Sequence, residues 1–183
     1  MTGLRRIGPD EFTLRLDAVL DVYTRAMNPP ADQLSGRRAI MRNHAAHPAF
    51  TCLFAEDETG TPVGVAYGFH GVPGQWWHDV VRRALVERHG EDHAGHWLGD
   101  ALELAEIHVH PDHQGKGIGR ALVVGMCAGR LERTAVLSTR DGGPTAALHL
   151  YRSVGFVDLL TRFVFPGGHE RYAILGAALP LDG

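Results

Sequence analysis

Three glycines in five residues, Gly115, Gly117 and Gly119, fall in the run Gln114-Gly115-Lys116-Gly117-Ile118-Gly119-Arg120. Glycine lets a backbone approach a bulky anion with its N–H groups turned inward. A helix opening at the same place adds the positive end of its dipole, so this run offers a cradle for a pyrophosphate. A tight strand-to-helix turn packed for its own sake is the alternative that the glycines alone leave open. Two familiar phosphate loops do not fit. The Walker loop ends in Gly-Lys-Ser/Thr, but Lys116 is followed by Gly117, with no hydroxyl for magnesium. The dinucleotide fingerprint is G-x-G-x-x-G, whereas the spacing here is G-x-G-x-G and lies in mid-chain.

Upstream, Leu102-Glu103-Leu104-Ala105-Glu106-Ile107-His108-Val109 carries two carboxylates on a strand-like run. Alternation assigns Glu103 and Glu106 to opposite faces unless a bulge intervenes. His108, His110 and His113 gather with Asp112 at the strand end, and His89, His93 and His96 form a second group. With 12 histidines in the chain, metal binding has to be weighed. His89 and His93 share a helix face only if the helix continues through Gly90. Neither H-E-x-x-H nor Cys-x-x-Cys occurs, so no metal is expected.

The elements that position these residues follow from periodicity. Helical spacing predicts a helix over 12–27 after Pro9-Asp10, stopped by Asn28-Pro29-Pro30, and a second over 35–47 before Pro48. Residues 50–55 and 62–70 read as an antiparallel hairpin around Glu58-Thr59-Gly60-Thr61. Trp76, Trp77, Val80, Val81, Ala84 and Leu85 form one helix face, followed by a polar stretch, so residues 75–100 are an inserted helical segment. Its tryptophans, with Trp97, either wall a ligand site or bury the insertion against the sheet or a dimer partner. A strand is expected over 101–109, a helix over 119–131, a strand over 135–139 and a helix over 145–154 closed by Gly155. Strands over 156–165 and 172–179 close the chain around Pro166-Gly167-Gly168. The order predicts one α/β domain over 1–183, with a mixed, mostly antiparallel sheet and one parallel crossover.

Composition narrows the function classes. A chain of 183 residues that is 44% hydrophobic and 21% charged can bury roughly 70% of its extended surface without metals or disulfides. Cys52 and Cys127 lie in apolar runs and are expected to be buried, unpaired small hydrophobes. Eighteen basic against 21 acidic residues, in no long block of one sign, lack the footprint of a nucleic-acid binder. No 18-residue apolar run occurs, and MTGLRRIGPDEF has no apolar leader core, so neither membrane nor export is expected and the default compartment is the cytoplasm.

Gln114, Gly117 and Gly119 fill the pattern Q/R-x-x-G-x-G/A after a strand ending Val109-His110-Pro111-Asp112. Downstream, Ala147-Leu148-His149-Leu150-Tyr151-Arg152-Ser153-Val154-Gly155-Phe156 matches A-x-x-L-Y-x-x-x-G-F. Together the two motifs resemble the GNAT superfamily of acetyl-CoA-dependent N-acetyltransferases, most clearly over 101–159. One departure stands out: many members carry an asparagine seven residues before the motif tyrosine, and here that position is Pro144. The neighbouring Thr145 offers a hydroxyl whose expected use is to cap the helix.

The resemblance implies a sheet with a splayed parallel strand pair, helices on both faces, and acetyl-CoA in the splay. It implies a pyrophosphate on residues 114–120, with Lys116 and Arg120 adding charge, and pantetheine against the backbone of His108 and Val109. An N–H there would polarise the thioester carbonyl. Transfer to an amine requires an ammonium of pKa ~10 to lose a proton and the CoA thiolate to gain one. Tyr151 takes the family's general-acid position. The base is expected to be Glu103, eleven residues before Gln114, or Glu106, nearer the thioester end. His110 and His113 are placed at the cofactor rim and His108 in the acceptor pocket. The acceptor is expected to be a primary amine on a small molecule or peptide. A non-catalytic acyl-CoA-binding module is the alternative that would keep the loop without turnover.

Overall fold

The computed structural model describes residues 3–181. Seven strands hydrogen-bond in the order β1-β2-β3-β4-β5-β7-β6: β1 (Gly3–Ile7), β2 (Thr51–Glu56), β3 (Pro62–His70), β4 (Ala101–Val109), β5 (Thr134–Arg140), β6 (Val157–Phe163) and β7 (Tyr172–Ala178). The sheet is mostly antiparallel. Its parallel pair, β4 with β5, runs in the register Ala101 to Thr134, Leu102 to Ala135 and Glu103 to Val136. The helices are α1 (Pro9–Leu14), α2 (Leu16–Met27), α3 (Leu34–His44), α4 (Trp76–His89), α5 (Glu91–Leu98), α6 (Ile118–Cys127) and α7 (Ala146–Ser153). The chain divides into two compact units, residues 1–69 with 104–126 and residues 70–103 with 127–183.

In the first unit the core lies under α1 and α2. Phe12, Leu16, Val19, Val22 and Tyr23 recur at helical spacing and are buried with Met41, Phe50, Phe54, Tyr67 and Phe69. The Phe12 ring meets Phe50 and Tyr67 edge-on at 4.8 and 5.1 Å. The single helix expected over 12–27 is instead α1 and α2, divided at Arg15, whose guanidinium reaches Glu56 at 2.8 Å and sits over Phe54. Strand β1 was outside the expected order because four of its five residues are exposed and show no apolar alternation; pairing with β2 makes it a strand.

The second unit packs Val81, Leu85, Ala94 and Leu98 of the inserted helices with Ala101, Val136, Leu159, Leu160 and Ile174 of the strands. The polar stretch after α4 holds a helix of its own, α5, in which Ala94 and Leu98 suffice for burial. Gly90, at φ +90°, ends α4 and starts α5. Helix α6 stops at Cys127 rather than continuing to residue 131, just before Gly129 turns at φ +70°. Trp97 approaches β7 closely because residue 176 is glycine: a Cβ there would stand 2.7 Å from Trp97 Cε3 and 2.9 Å from Leu159 Cδ1. Gly176→Ala is expected to cost about 1–3 kcal/mol and lower the melting midpoint by several degrees in calorimetry.

Both cysteines are buried and free. Burial pushes the Cys52 thiol well above its ordinary range and that of Cys127 up to about 12. No helix among the described residues is long and apolar enough to cross a membrane.

Candidate functional site

The glycine run joins β4 to α6 as the spacing predicts, through a short 3-10 turn at Pro111–His113. His110 donates its N–H to Val63 O at 2.8 Å, and its Nδ1 accepts from Asp112 N at 3.2 Å, which ties the turn to β3. Gln114 Nε2 donates to Val109 O at 3.0 Å, and Lys116 Nζ to Asp112 O at 2.8 Å. Gly115 and Gly117 adopt φ +72° and +80°, and nothing lies within 4 Å of where a Cβ would stand on either. Side chains there would meet left-handed backbone strain, and the bare surface they leave is open to a bulky anion. Ile118 is buried, Gly119 half-buried and Arg120 exposed.

Two of the expected residues meet in the first unit. Glu106, with a tenth of its side chain accessible, accepts from Arg37 Nη1 at 2.9 Å and faces His108 Nε2 at 2.5 Å. Burial alone would raise the Glu106 carboxyl, yet the hydrogen bond and charge of His108 and the charge of Arg37 outweigh it and hold the group below its usual range. The His108 ring meets Tyr23 edge-on at 5.1 Å, and the Arg37 guanidinium lies 5.1 Å over the same tyrosine. His44 Nδ1 lies 2.9 Å from Tyr67 Oη, and burial, with His47 beside it, pushes its imidazole down to about 4, so it stays neutral at pH 7. Sequence reasoning missed Arg37, Tyr23 and His44, since α2 and α3 carry no motif and their contact with β4 is purely tertiary.

Glu103 and Tyr151 belong to the second unit. Glu103 is 5% exposed, its Oε2 has no hydrogen-bond partner among the described residues, and burial raises its carboxyl to about 8. Gly71 lies beside it: a Cβ there would stand 3.8 Å from Oε2 and 3.5 Å from His78 Cδ2. Tyr151 is 7% exposed on α7, with its ring centroid 5.9 Å from Phe156. Thr145 caps that helix as expected, its Oγ1 accepting from Leu148 N at 3.1 Å.

The remaining histidines and tryptophans sort differently. Gly90 breaks the helix between His89 and His93, yet their rings lie 4.6 Å apart. Among the described residues no group of three or more His, Cys, Asp or Glu is arranged to hold a metal. Trp77 Nε1 donates to Ser138 Oγ at 3.1 Å, and Trp76 stacks on Phe165 at 5.4 Å. A cleft of about 610 Å³ in the second unit, bordered by Arg88, His89, Asp158 and Arg162, contains none of the residues expected for catalysis or cofactor binding.

Solved structures share this fold, a mostly antiparallel sheet whose parallel strand pair is followed by a glycine turn into a helix. The ribosomal-protein-S18-alanine N-acetyltransferase of Escherichia coli superposes with a TM-score of 0.63 at 21% identity, covering 100% of this chain and 97% of that one. A GNAT superfamily phosphinothricin acetyltransferase from Sinorhizobium meliloti, solved with acetyl-CoA, gives 0.58 at 19% identity over 97% and 88%. A family model described as an acetyltransferase (GNAT) domain matches residues 48–158. A GCN5-like protein acetyltransferase of Mycobacterium tuberculosis is 33% identical over 94% of this chain and 96% of its own length. The chain belongs to the GNAT acetyltransferase family and is an acyltransferase.

Proposed function

We propose that the enzyme uses acetyl-CoA and transfers its acetyl group, in a ternary complex, to a primary amine on a small molecule or peptide, with residues 1–183 acting as one catalytic domain. The observation that carries this reading is the open glycine surface of Gly115 and Gly117 at the β4–α6 junction, within a family that transfers acetyl groups. Gln114, Gly115, Lys116, Gly117, Ile118, Gly119 and Arg120 hold the pyrophosphate, mainly through backbone N–H groups. Exposed side-chain charges such as that of Lys116 add under ~1 kcal/mol each. The backbone of His108 and Val109 receives the pantetheine arm. Tyr151 donates the proton that the departing thiolate needs. The ammonium proton leaves toward β4, where Glu106 and Glu103 are the two carboxylates proposed for it. A protein acetyltransferase relative and neighbours named for S18 alanine and phosphinothricin keep both peptide and small-molecule acceptors in the reading.

The test is thermal unfolding with acetyl-CoA, CoA or 3′,5′-ADP, followed by CoA release with a panel of lysine amide, glycine amide and spermidine. At 100 times its Kd, acetyl-CoA is expected to add ~2.7 kcal/mol and raise the midpoint by about 5–10 °C, with 3′,5′-ADP giving less. No shift at saturating acetyl-CoA would remove the loop from cofactor binding and the reading with it.

A further inference from the structure

We propose that His108 is the group that takes the proton from the acceptor amine and that Glu106 positions it. The assignment rests on the acetyltransferase reading and moves the base from a β4 carboxylate to a β4 imidazole. Both Glu106 oxygens are engaged, Oε1 by Arg37 and Oε2 by His108. Direct protonation of Glu106 would therefore weaken one of two partly buried, charge-assisted contacts. An ionised carboxylate can only accept, so the proton between the pair sits on His108 Nε2 and fixes the tautomer. That leaves the lone pair on Nδ1, which makes no hydrogen bond with any described residue. Tyr23, edge-on at 5.1 Å, holds the ring in this orientation.

The groups facing the pair are those such a base requires. Glu106 balances the charge that His108 gains, Arg37 from α3 keeps Glu106 ionised, and His44, also from α3, stays neutral and adds no competing cation. Tyr23 from α2 supplies an aromatic wall, and Tyr67 of β3 is occupied with His44. The carboxylate thus orients the imidazole and stabilises its protonated form, the same division of labour that makes a carboxylate–histidine pair an effective base elsewhere.

The step balances. The ammonium gives one proton to His108 Nδ1, and the neutral amine forms an N–C bond with the thioester carbonyl. The C–S bond then breaks, the second nitrogen proton reaches sulfur by way of Tyr151, and His108 returns its proton to solvent. The products are an acetamide, the CoA thiol and one proton.

The test measures CoA release by the full chain with acetyl-CoA and the same amine panel, as kcat/KM against pH, for wild type, H108A, H108Q and E106Q. Expected are a loss of about 10²–10³-fold in H108A with acetyl-CoA affinity unchanged, and partial rescue by added imidazole. H108Q should lose turnover to a similar degree, and it guards against misfolding of H108A because it keeps bulk and hydrogen bonding. E106Q should lower kcat without changing the KM for acetyl-CoA. Wild-type turnover that persists within about threefold in H108Q, with no response to added imidazole in H108A, overturns this inference alone. Wild type that releases no CoA with any amine overturns the transfer reading and this inference together.

Discussion

Replacing Tyr151 by phenylalanine is expected to lower kcat by about 10²–10³-fold while leaving acetyl-CoA affinity unchanged. The substitution removes one oxygen and keeps the ring, which is 7% exposed and packed near Phe156 on a helix capped by Thr145. The lost hydroxyl contact costs about 1 kcal/mol of stability, too little to unfold the chain, so a fall in turnover reports on chemistry. Thiolate departure without a proton donor is the step that slows. Acceptors that need little help from the base should therefore show the loss as clearly as poor ones. Calorimetric titration of acetyl-CoA into Tyr151→Phe, alongside steady-state CoA release, separates the two effects. Equal kcat in variant and wild type would reduce Tyr151 to a packed aromatic.

The second large effect concerns Glu103 and has the opposite sign for the fold. Its carboxyl is raised to about 8 by burial, against about 4.5 when exposed. Between those two values the unfolded chain sheds a proton that the folded chain keeps, so this residue makes stability fall as pH rises through that window. Glutamine has no proton to lose. Glu103→Gln is therefore expected to match wild type below pH 4 and to exceed it at pH 8 by up to about 4 kcal/mol, or roughly 10 °C in melting midpoint. Melting curves across the pH range check this, and a midpoint difference that does not grow with pH would rule out the buried-acid account. Turnover of the same variant shows what the burial serves. A fall of about 10²-fold marks Glu103 as a proton acceptor, whereas retained turnover leaves that duty to Glu106 and His108.

How much of this was legible in the sequence depends on how local the cause is. Strand β4 ends where Pro111 requires, the glycine turn opens α6, and Thr145 caps α7, because each follows from the residues that sit there. Strand β1 left no such trace. Gly3–Ile7 becomes a strand through its ladder to β2, and its Arg5 and Arg6 are exposed cations that engage Glu11, Glu56 and the Gly125 carbonyl. The split at Arg15 is likewise set by Glu56 and Phe54, some forty residues away. Within the site, Glu103 and Glu106 were readable as two carboxylates on opposite faces, but not their contrasting environments. One is buried with its Oε2 lacking a hydrogen-bond partner among the described residues, the other is clamped by Arg37 and His108, and neither condition is written in the strand's own sequence.

The burial of both cysteines has a practical consequence for the bench. With Cys52 and Cys127 shut away and their thiolates disfavoured, the folded chain is silent to disulfide-exchange dyes and maleimides. Free CoA can then be titrated continuously with such a dye in the cuvette against a protein blank near zero. A single cysteine placed at the exposed Leu131 would be the one handle a fluorophore finds.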